Sequence, residues 1–179
     1  MAKHIFNGKI EHLRRPERLR RAQLDRLTAL CLDGIEAASA LDIGTGSALF
    51  AEAFATQGLD VAGVDINPAM IEAARQHVPG GAFLVASAHA LPYPDNAFDI
   101  VFFGLVLHEV DDPLAALTEA RRVARQRVAV LEWPYDAETD PPRDHRLKAD
   151  LIEAFAREAG FQAIDTTPLR RLALYRMTV

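Results

Sequence analysis

One cysteine, Cys31, stands in 179 residues, so no disulfide forms within the chain and no thiolate cluster can gather around a metal or an arsenic centre. Long apolar runs are also missing. The longest stretch, around Ile100 to Leu107, is interrupted by Gly104 and followed by His108 and Glu109. It falls far short of the ~20 residues a membrane-spanning helix needs. The opening MAKHIFNGKIEHLRR has no apolar run behind its basic residues, so a secretory signal is not expected and a cytoplasmic location is. Positive charge is in short supply: 20 Lys and Arg against 25 Asp and Glu give a net charge of -5. Nucleic-acid binding normally rests on a basic surface, which weighs against a dedicated nucleic-acid protein. The local exception is LRRPERLRR, where Arg14, Arg15, Arg18, Arg20 and Arg21 crowd together. That run is either a solvated helix face or a place to meet an anionic partner. His4, His12 and His77 show no ligand spacing, and HEVDD is not the helical H-E-x-x-H of a zinc site, so no metal is expected.

Half the residues are hydrophobic and a quarter charged, the balance of a globular protein, and the length suits one core rather than two. A single domain over 1–179 is expected, with 1–34 as an N-terminal cap and helix before a core over 35–179. After Pro16, ERLRRAQLDRLTALCL places Leu19, Leu24, Leu27, Leu30 and Cys31 near one helical face. SALDIG and FDIVFFG read as buried strands, DVAGVDI, GAFLVAS and RVAVLEW as further strands, and the tail as two more around Pro168. Helices alternate with them. One ends at Gly58, one opens on Asn67 and Pro68, one follows Asp111 and Asp112, and one closes at Gly160. This alternation predicts an α/β fold, a mostly parallel sheet with helices on both faces. Residues 134–146, PYDAETDPPRDHR, form the one long connection without a pattern, a length that suits a functional loop or a surface loop stiffened by prolines.

The chemistry gathers at strand ends. In LDIGTGSAL, Gly44, Thr45 and Gly46 make a tight turn into a helix, where a ligand can approach the backbone closely. Asp65 ends the second strand, about 20 residues on, and its carboxylate suits the two hydroxyls of a ribose. Ser87 and Gly104 fall at two further strand ends, and open α/β sheets bind ligands there. A nicotinamide dinucleotide fits this outline too. It wants a third glycine where Leu49 stands, however, and gives no role to an acid at Asp42. A carboxylate at Asp42 could instead hold the cationic amino group of a methionine moiety.

ALDIGTGSALFAEAFA, VAGVDINPAMIEAAR, ALPYPDNAFDIVFFGLVLHEVDDP and FAREAGF together resemble the class I S-adenosylmethionine-dependent methyltransferases, in particular the type 11, ubiquinone and menaquinone methyltransferase-like group. The likeness runs over about residues 35 to 165. It implies a Rossmann-like three-layer sandwich whose seven-stranded sheet ends in an antiparallel strand, with S-adenosylmethionine as cofactor and S-adenosylhomocysteine as product. Asp42, Gly44, Thr45 and Gly46 would surround the methionine part, Asp65 the ribose, and Ile66 and Met70 the adenine. Where the family carries an acid and a small residue after strand three, this chain has Ser87, Ala88 and His89, a departure at the adenine amino group. Ala48 replaces a common glycine, and alanine is expected to fit a helix start without strain.

Phe103, Gly104, Leu105 and His108 would then lie beside the methyl donor and face the acceptor. Transfer from a sulfonium is an in-line displacement on an activated carbon, so the protein chiefly aligns partners and excludes water. If the acceptor carries a proton to be lost, His108 is the first candidate base, Glu109 the second and His145 the third. The other reading of His108 is a pocket wall that moves no proton. FFGLVLHEV lacks the N/D-P-P-Y/F motif of amino-methylating nucleic-acid enzymes, which leaves a small-molecule acceptor as the expected partner. The protein is expected as a monomer or homodimer. Two other classes fit part of the pattern: a nicotinamide-dependent oxidoreductase and a binding module without catalysis.

Overall fold

The computed structural model describes residues 13–15, 23–137 and 141–179. The suggested cap at His4 and Phe6, His12, Arg18, Arg20 and Arg21, and the start of the opening helix lie outside the described residues.

The described chain opens with α1 (Leu24–Leu32) and continues through β1 (Ser39–Ile43), α2 (Leu49–Thr56), β2 (Asp60–Asp65), α3 (Pro68–His77) and β3 (Ala82–Val85). It then runs through β4 (Phe98–Gly104), α4 (Pro113–Val123), β5 (Ala124–Glu132), α5 (Ala149–Glu158), β6 (Ala163–Pro168) and β7 (Ala173–Thr178). Asn67 and Asp112 cap α3 and α4 through their side chains, each followed by a proline in the first helical turn. The α/β alternation read from the sequence is present. Seven strands form one sheet in the order β3-β2-β1-β4-β5-β7-β6. β1 through β5 pair in parallel, while β7 lies antiparallel between β5 and β6.

Alternation along the central strands sorts side chains into two layers. Ile100 and Phe102 of β4 pack with α1, α2 and α3 on one face. Val101 and Phe103 pack with α4 and α5 on the other. Phe102 meets Phe50 and Phe54 of α2 with ring centres 5.1 and 5.4 Å apart. This is the three-layer Rossmann-like arrangement. Arginines on the sheet tie down the C-terminal end of α1, where carbonyls lack helical partners: Arg127 donates to Cys31 and Asp33, and Arg176 to Leu30. Among the described residues no helix is long and apolar enough to cross a membrane.

The N-terminal ends of β1 and β4 are joined through Asp99, almost fully buried. Its Oδ2 accepts from Ala38 N, Ser39 N and Ser39 Oγ at 2.9, 3.1 and 3.0 Å, and Oδ1 accepts from Arg125 and Gln126. Burial pulls its pKa up, but these hydrogen bonds outweigh it and bring it down to about 2.

The chain's path sets the place for a ligand. From β1 it moves outward to β2 and β3, then returns to the other side of β1 at β4, so the helices leave in opposite directions at the β1/β4 boundary. Beyond the carboxyl ends of these two strands lies the crevice that open α/β sheets use for binding.

Candidate active site

A cavity of about 480 Å³ occupies that crevice. Its floor is the turn after β1. Gly44 and Gly46 have φ of +66° and +53°, and Ala48 follows at +59°. Three left-handed residues so close together reverse the chain before α2. A Cβ on Gly44 would stand 2.5 Å from Cγ2 of Val106, so the turn reaches the segment after β4 only because this residue is glycine. Ala48 departs from the sequence expectation of an unstrained helix start: it is the left-handed residue before α2, a conformation in which its Cβ crowds the following carbonyl oxygen.

Asp42 is buried behind the turn and does not line the cavity. Its Oδ2 accepts from Thr45 Oγ1 at 2.8 Å and Ala51 N at 3.3 Å, fastening the turn to α2. Oδ1 has no hydrogen-bond partner among the described residues. Burial pushes the carboxyl up to about 7, against the lowering effect of the Thr45 and Ala51 bonds and with a small upward push from Asp65.

Asp65 ends β2 at the cavity wall. Its Oδ2 accepts from Gly46 N at 3.0 Å and Oδ1 from Asn67 N at 2.9 Å, which aims the carboxylate across the turn. Burial raises its pKa, and backbone N–H groups of Asn67, Gly46 and Ile66 oppose the rise. Ile66 is 48 % exposed at the rim and Met70 is buried beneath it, both lining the cavity. Ser87, Ala88 and His89 line the same side. The Ser87 hydroxyl accepts from His89 N at 3.2 Å, and His89 Nε2 lies 3.1 Å from the Asp112 carbonyl oxygen, so this short turn is held by its own side chains.

The opposite wall comes from the end of β4: Gly104, Leu105, Val106, His108 and Glu109. A Cβ on Gly104 would stand 2.3 Å from the Phe50 ring. Leu105 takes a left-handed φ of +62° while donating to the Leu131 carbonyl at 2.9 Å, a strained residue at the cavity wall. His108 sits in a 3-10 turn, Leu107–Glu109. Its Nδ1 lies 3.0 and 2.9 Å from the two carboxylate oxygens of Glu132, and its main-chain N donates to Oε1 of the same residue at 3.1 Å. Nε2, the other ring nitrogen, is 3.8 Å from Oε1 of Glu109.

Two further residues singled out from sequence stand elsewhere. The Phe103 side chain is buried on the α4/α5 face, because β4 alternates and the cavity opens from the layer of Phe102 and Gly104. His145 lies in a second 3-10 turn, Arg143–His145, with Nε2 3.9 Å from Asp144 Oδ2, and is not on the cavity wall; Pro141 of the same loop is. Arg146 braces this loop by donating to the carbonyls of Pro141, Tyr135 and Ala137. Glu132 was not singled out, although a carboxylate closing the apolar run VAVLE at a strand end is the signal that could have found it.

Residues 41–131 match the family model described as a methyltransferase domain. The chain belongs to the class I S-adenosylmethionine-dependent methyltransferases. It is 33% identical over 100 residues to a demethylmenaquinone methyltransferase of Renibacterium salmoninarum, covering 56% of this chain and 42% of that one. A malonyl-(acyl-carrier protein) O-methyltransferase of Halorhodospira halophila is 34% identical over 145 residues, covering 68% and 47%. The chain therefore spans about half the length of these curated relatives. An S-adenosylmethionine-dependent methyltransferase structure from Aquifex aeolicus shares the fold over 98% of this chain and 100% of that chain, with a TM-score of 0.88 at 21% identity.

The residues present fit the family's cofactor. The Gly44–Gly46 turn bares backbone at the cavity floor, and the cavity volume is ordinary for a small-ligand site. Asp65 supplies a carboxylate at the wall, and Ile66 and Met70 supply an apolar slot. Leu49, the first residue of α2, stands where a dinucleotide fingerprint has the glycine that lets helix and strand pack closely.

Proposed function

We propose that the protein transfers a methyl group from S-adenosylmethionine to a small-molecule acceptor. The carrying observation is that one cavity has the Gly44–Gly46 turn and Asp65 on one wall and the Leu105–Glu109 segment on the other. A nucleoside side and a reaction side face each other. The demethylmenaquinone and malonyl-carrier acceptors named for the two relatives support a small-molecule acceptor here.

On this reading Asp65 accepts from the ribose hydroxyls, Ile66 and Met70 enclose the adenine, and the backbone of Gly44, Thr45 and Gly46 borders the methionine part. Asp42 works one step back, holding the turn through Thr45 and Ala51. The bound sulfonium supplies an already activated methyl carbon. The protein's remaining tasks are to aim the acceptor, exclude water and accept a proton where the acceptor must lose one. His108 and Glu109 stand on the wall where that acceptor would lie, whereas His145 lies off it.

Calorimetric titration with S-adenosylmethionine, S-adenosylhomocysteine and NADH tests the reading. Saturable binding of the first two, weakened in Asp65→Ala, is expected. Binding of NADH alone, or of none of the three, would sink it. Tight binding with no turnover of any acceptor would leave a binding module.

A further inference from the structure

The pairing of His108 with Glu132 is more than a methyl-transfer site needs in general. A carboxylate or an unprotonated amine can attack an activated methyl carbon as it stands. A neutral hydroxyl cannot do so well until its proton begins to leave. Glu132 is 2 % exposed, at the last position of β5, and both of its oxygens are committed to this one corner. They accept from His108 N and Trp133 N at 3.1 and 3.2 Å and face His108 Nδ1 at 3.0 and 2.9 Å. A carboxylate is an acceptor only, so in a neutral imidazole beside it the proton belongs on Nδ1, which leaves the lone pair on Nε2. His108 lines the cavity while Glu132 does not, so the carboxylate acts through the ring and not on a ligand.

We infer that Glu132 is a positioning residue for His108 as a base, and that the site takes an aryl hydroxyl as its methyl acceptor. This rests on the methyltransferase reading above. Apolar side chains among the cavity lining, Phe50, Val106, Val110, Trp133 and Pro141, suit an apolar ring. Proton energetics select the hydroxyl. A phenol-type hydroxyl releases its proton at about pH 10, weakly enough held that methyl transfer can drive it to a histidine. An alkyl hydroxyl holds its proton far more tightly than a phenol and lies out of reach of such a base. In the step, the aryl oxygen forms its bond to the methyl carbon as the sulfur–methyl bond breaks and its electron pair stays on sulfur. The hydroxyl proton passes to Nε2 of His108. The positive charge of the sulfonium is thereby replaced by that of an imidazolium held against the Glu132 carboxylate.

Two measurements test this, both on protein that calorimetry shows to bind S-adenosylhomocysteine, so that failure of the cofactor reading is seen separately. Nitrogen-15 NMR of labelled histidines in that complex, assigned with His108→Gln, is expected to show the neutral His108 ring protonated on Nδ1, with that preference lost in Glu132→Gln. A ring protonated on Nε2 in the wild type, or a tautomer unmoved by Glu132→Gln, overturns the positioning role. Radiolabelled methyl transfer is then compared for 2-naphthol, 2-naphthylamine and 2-naphthalenemethanol. Transfer to the naphthol is expected to exceed that to the other two at least tenfold. It should fall about 100-fold in kcat in both Glu132→Gln and His108→Gln with little change in S-adenosylmethionine affinity. Equal rates for the three, transfer to none, or full naphthol turnover in His108→Gln overturns the acceptor class.

Discussion

Gly46 donates its main-chain N–H to Oδ2 of Asp65 at 3.0 Å, which makes the turn after β1 and the end of β2 a single unit. A second oxygen of the same carboxylate holds Asn67, the cap of α3. Asp65→Ala therefore removes the acceptor proposed for a ribose and also frees two backbone donors at the cavity wall. Charge-assisted hydrogen bonds contribute about 1.5 to 3 kcal/mol, so affinity for S-adenosylhomocysteine should drop about 10- to 100-fold. Asp65→Asn, which keeps one carbonyl oxygen for Gly46, should lose less. Calorimetry on both variants checks the order. An Asp65→Ala protein that binds as tightly as wild type would exclude Asp65 from the nucleoside side.

Asp42 carries a cost that shows in the pH dependence of stability. Its folded pKa of about 7 lies above the ordinary value of 3.8, so the folded state keeps a proton that the unfolded chain releases. Stability from this group is intact below pH 4, declines as the pH rises toward 7, and is level above that. Asp42→Asn removes the titration while keeping an oxygen for Thr45 and Ala51. Its advantage over wild type in the absence of ligand should be negligible near pH 4 and reach the order of 2 to 4 kcal/mol at pH 8. Urea unfolding at the two pH values measures it. Parallel curves would show that the burial is relieved in solution.

The sequence made the alternating elements, the cap at Asn67 and the glycine turn readable, because each depends on neighbours along the chain. Asn67-Pro68 and Asp112-Pro113 are local devices, and Gly44 and Gly46 mark a bend wherever the chain goes next. What was not readable depends on residues far apart. The run Ile100 to Phe103 is apolar throughout, so nothing in it says that Phe102 faces α2 while Phe103 faces α4 and α5. Glu132 reads as a polar strand end until β4 and β5 stand side by side and bring it to His108. The reversed β7, slotted between β5 and β6, came from the family resemblance and not from any periodicity in the tail.

Asp99 should make the protein acid-sensitive at the end of the sheet away from the cavity. Its pKa of about 2 lies below the ordinary value of 3.8, so its contribution is fully present above about pH 4 and is lost as the pH falls through 2. That contribution is about 2 kcal/mol, since each tenfold difference in proton affinity between the folded and unfolded chain corresponds to about 1.4 kcal/mol. Asp99→Asn should flatten the acid limb of the stability curve between pH 4 and 2. At pH 7 it should destabilise by about 2 to 4 kcal/mol, because Ser39, Arg125 and the Ala38 N–H lose a charged acceptor. An unchanged acid limb would mean that Asp99 keeps its ordinary pKa in the folded protein.

Ala48 sets two effects of similar size against each other. At φ +59° a left-handed alanine is strained by roughly 1 to 2 kcal/mol relative to glycine, which occupies this region freely. Its methyl group is also fully buried, contributing about 0.8 kcal/mol that a glycine gives up. Ala48→Gly should therefore be neutral or stabilising by up to about 1 kcal/mol, a rise of a few degrees in Tm for a chain of this size. The control is Ala74→Gly, equally buried but inside α3. There the lost methyl and the poor helix propensity of glycine act in the same direction, and the loss should be about 1.5 to 2 kcal/mol. Equal losses at the two positions in thermal unfolding would show that the turn relaxes away from the left-handed conformation, and with it the close approach of Gly44 to Val106.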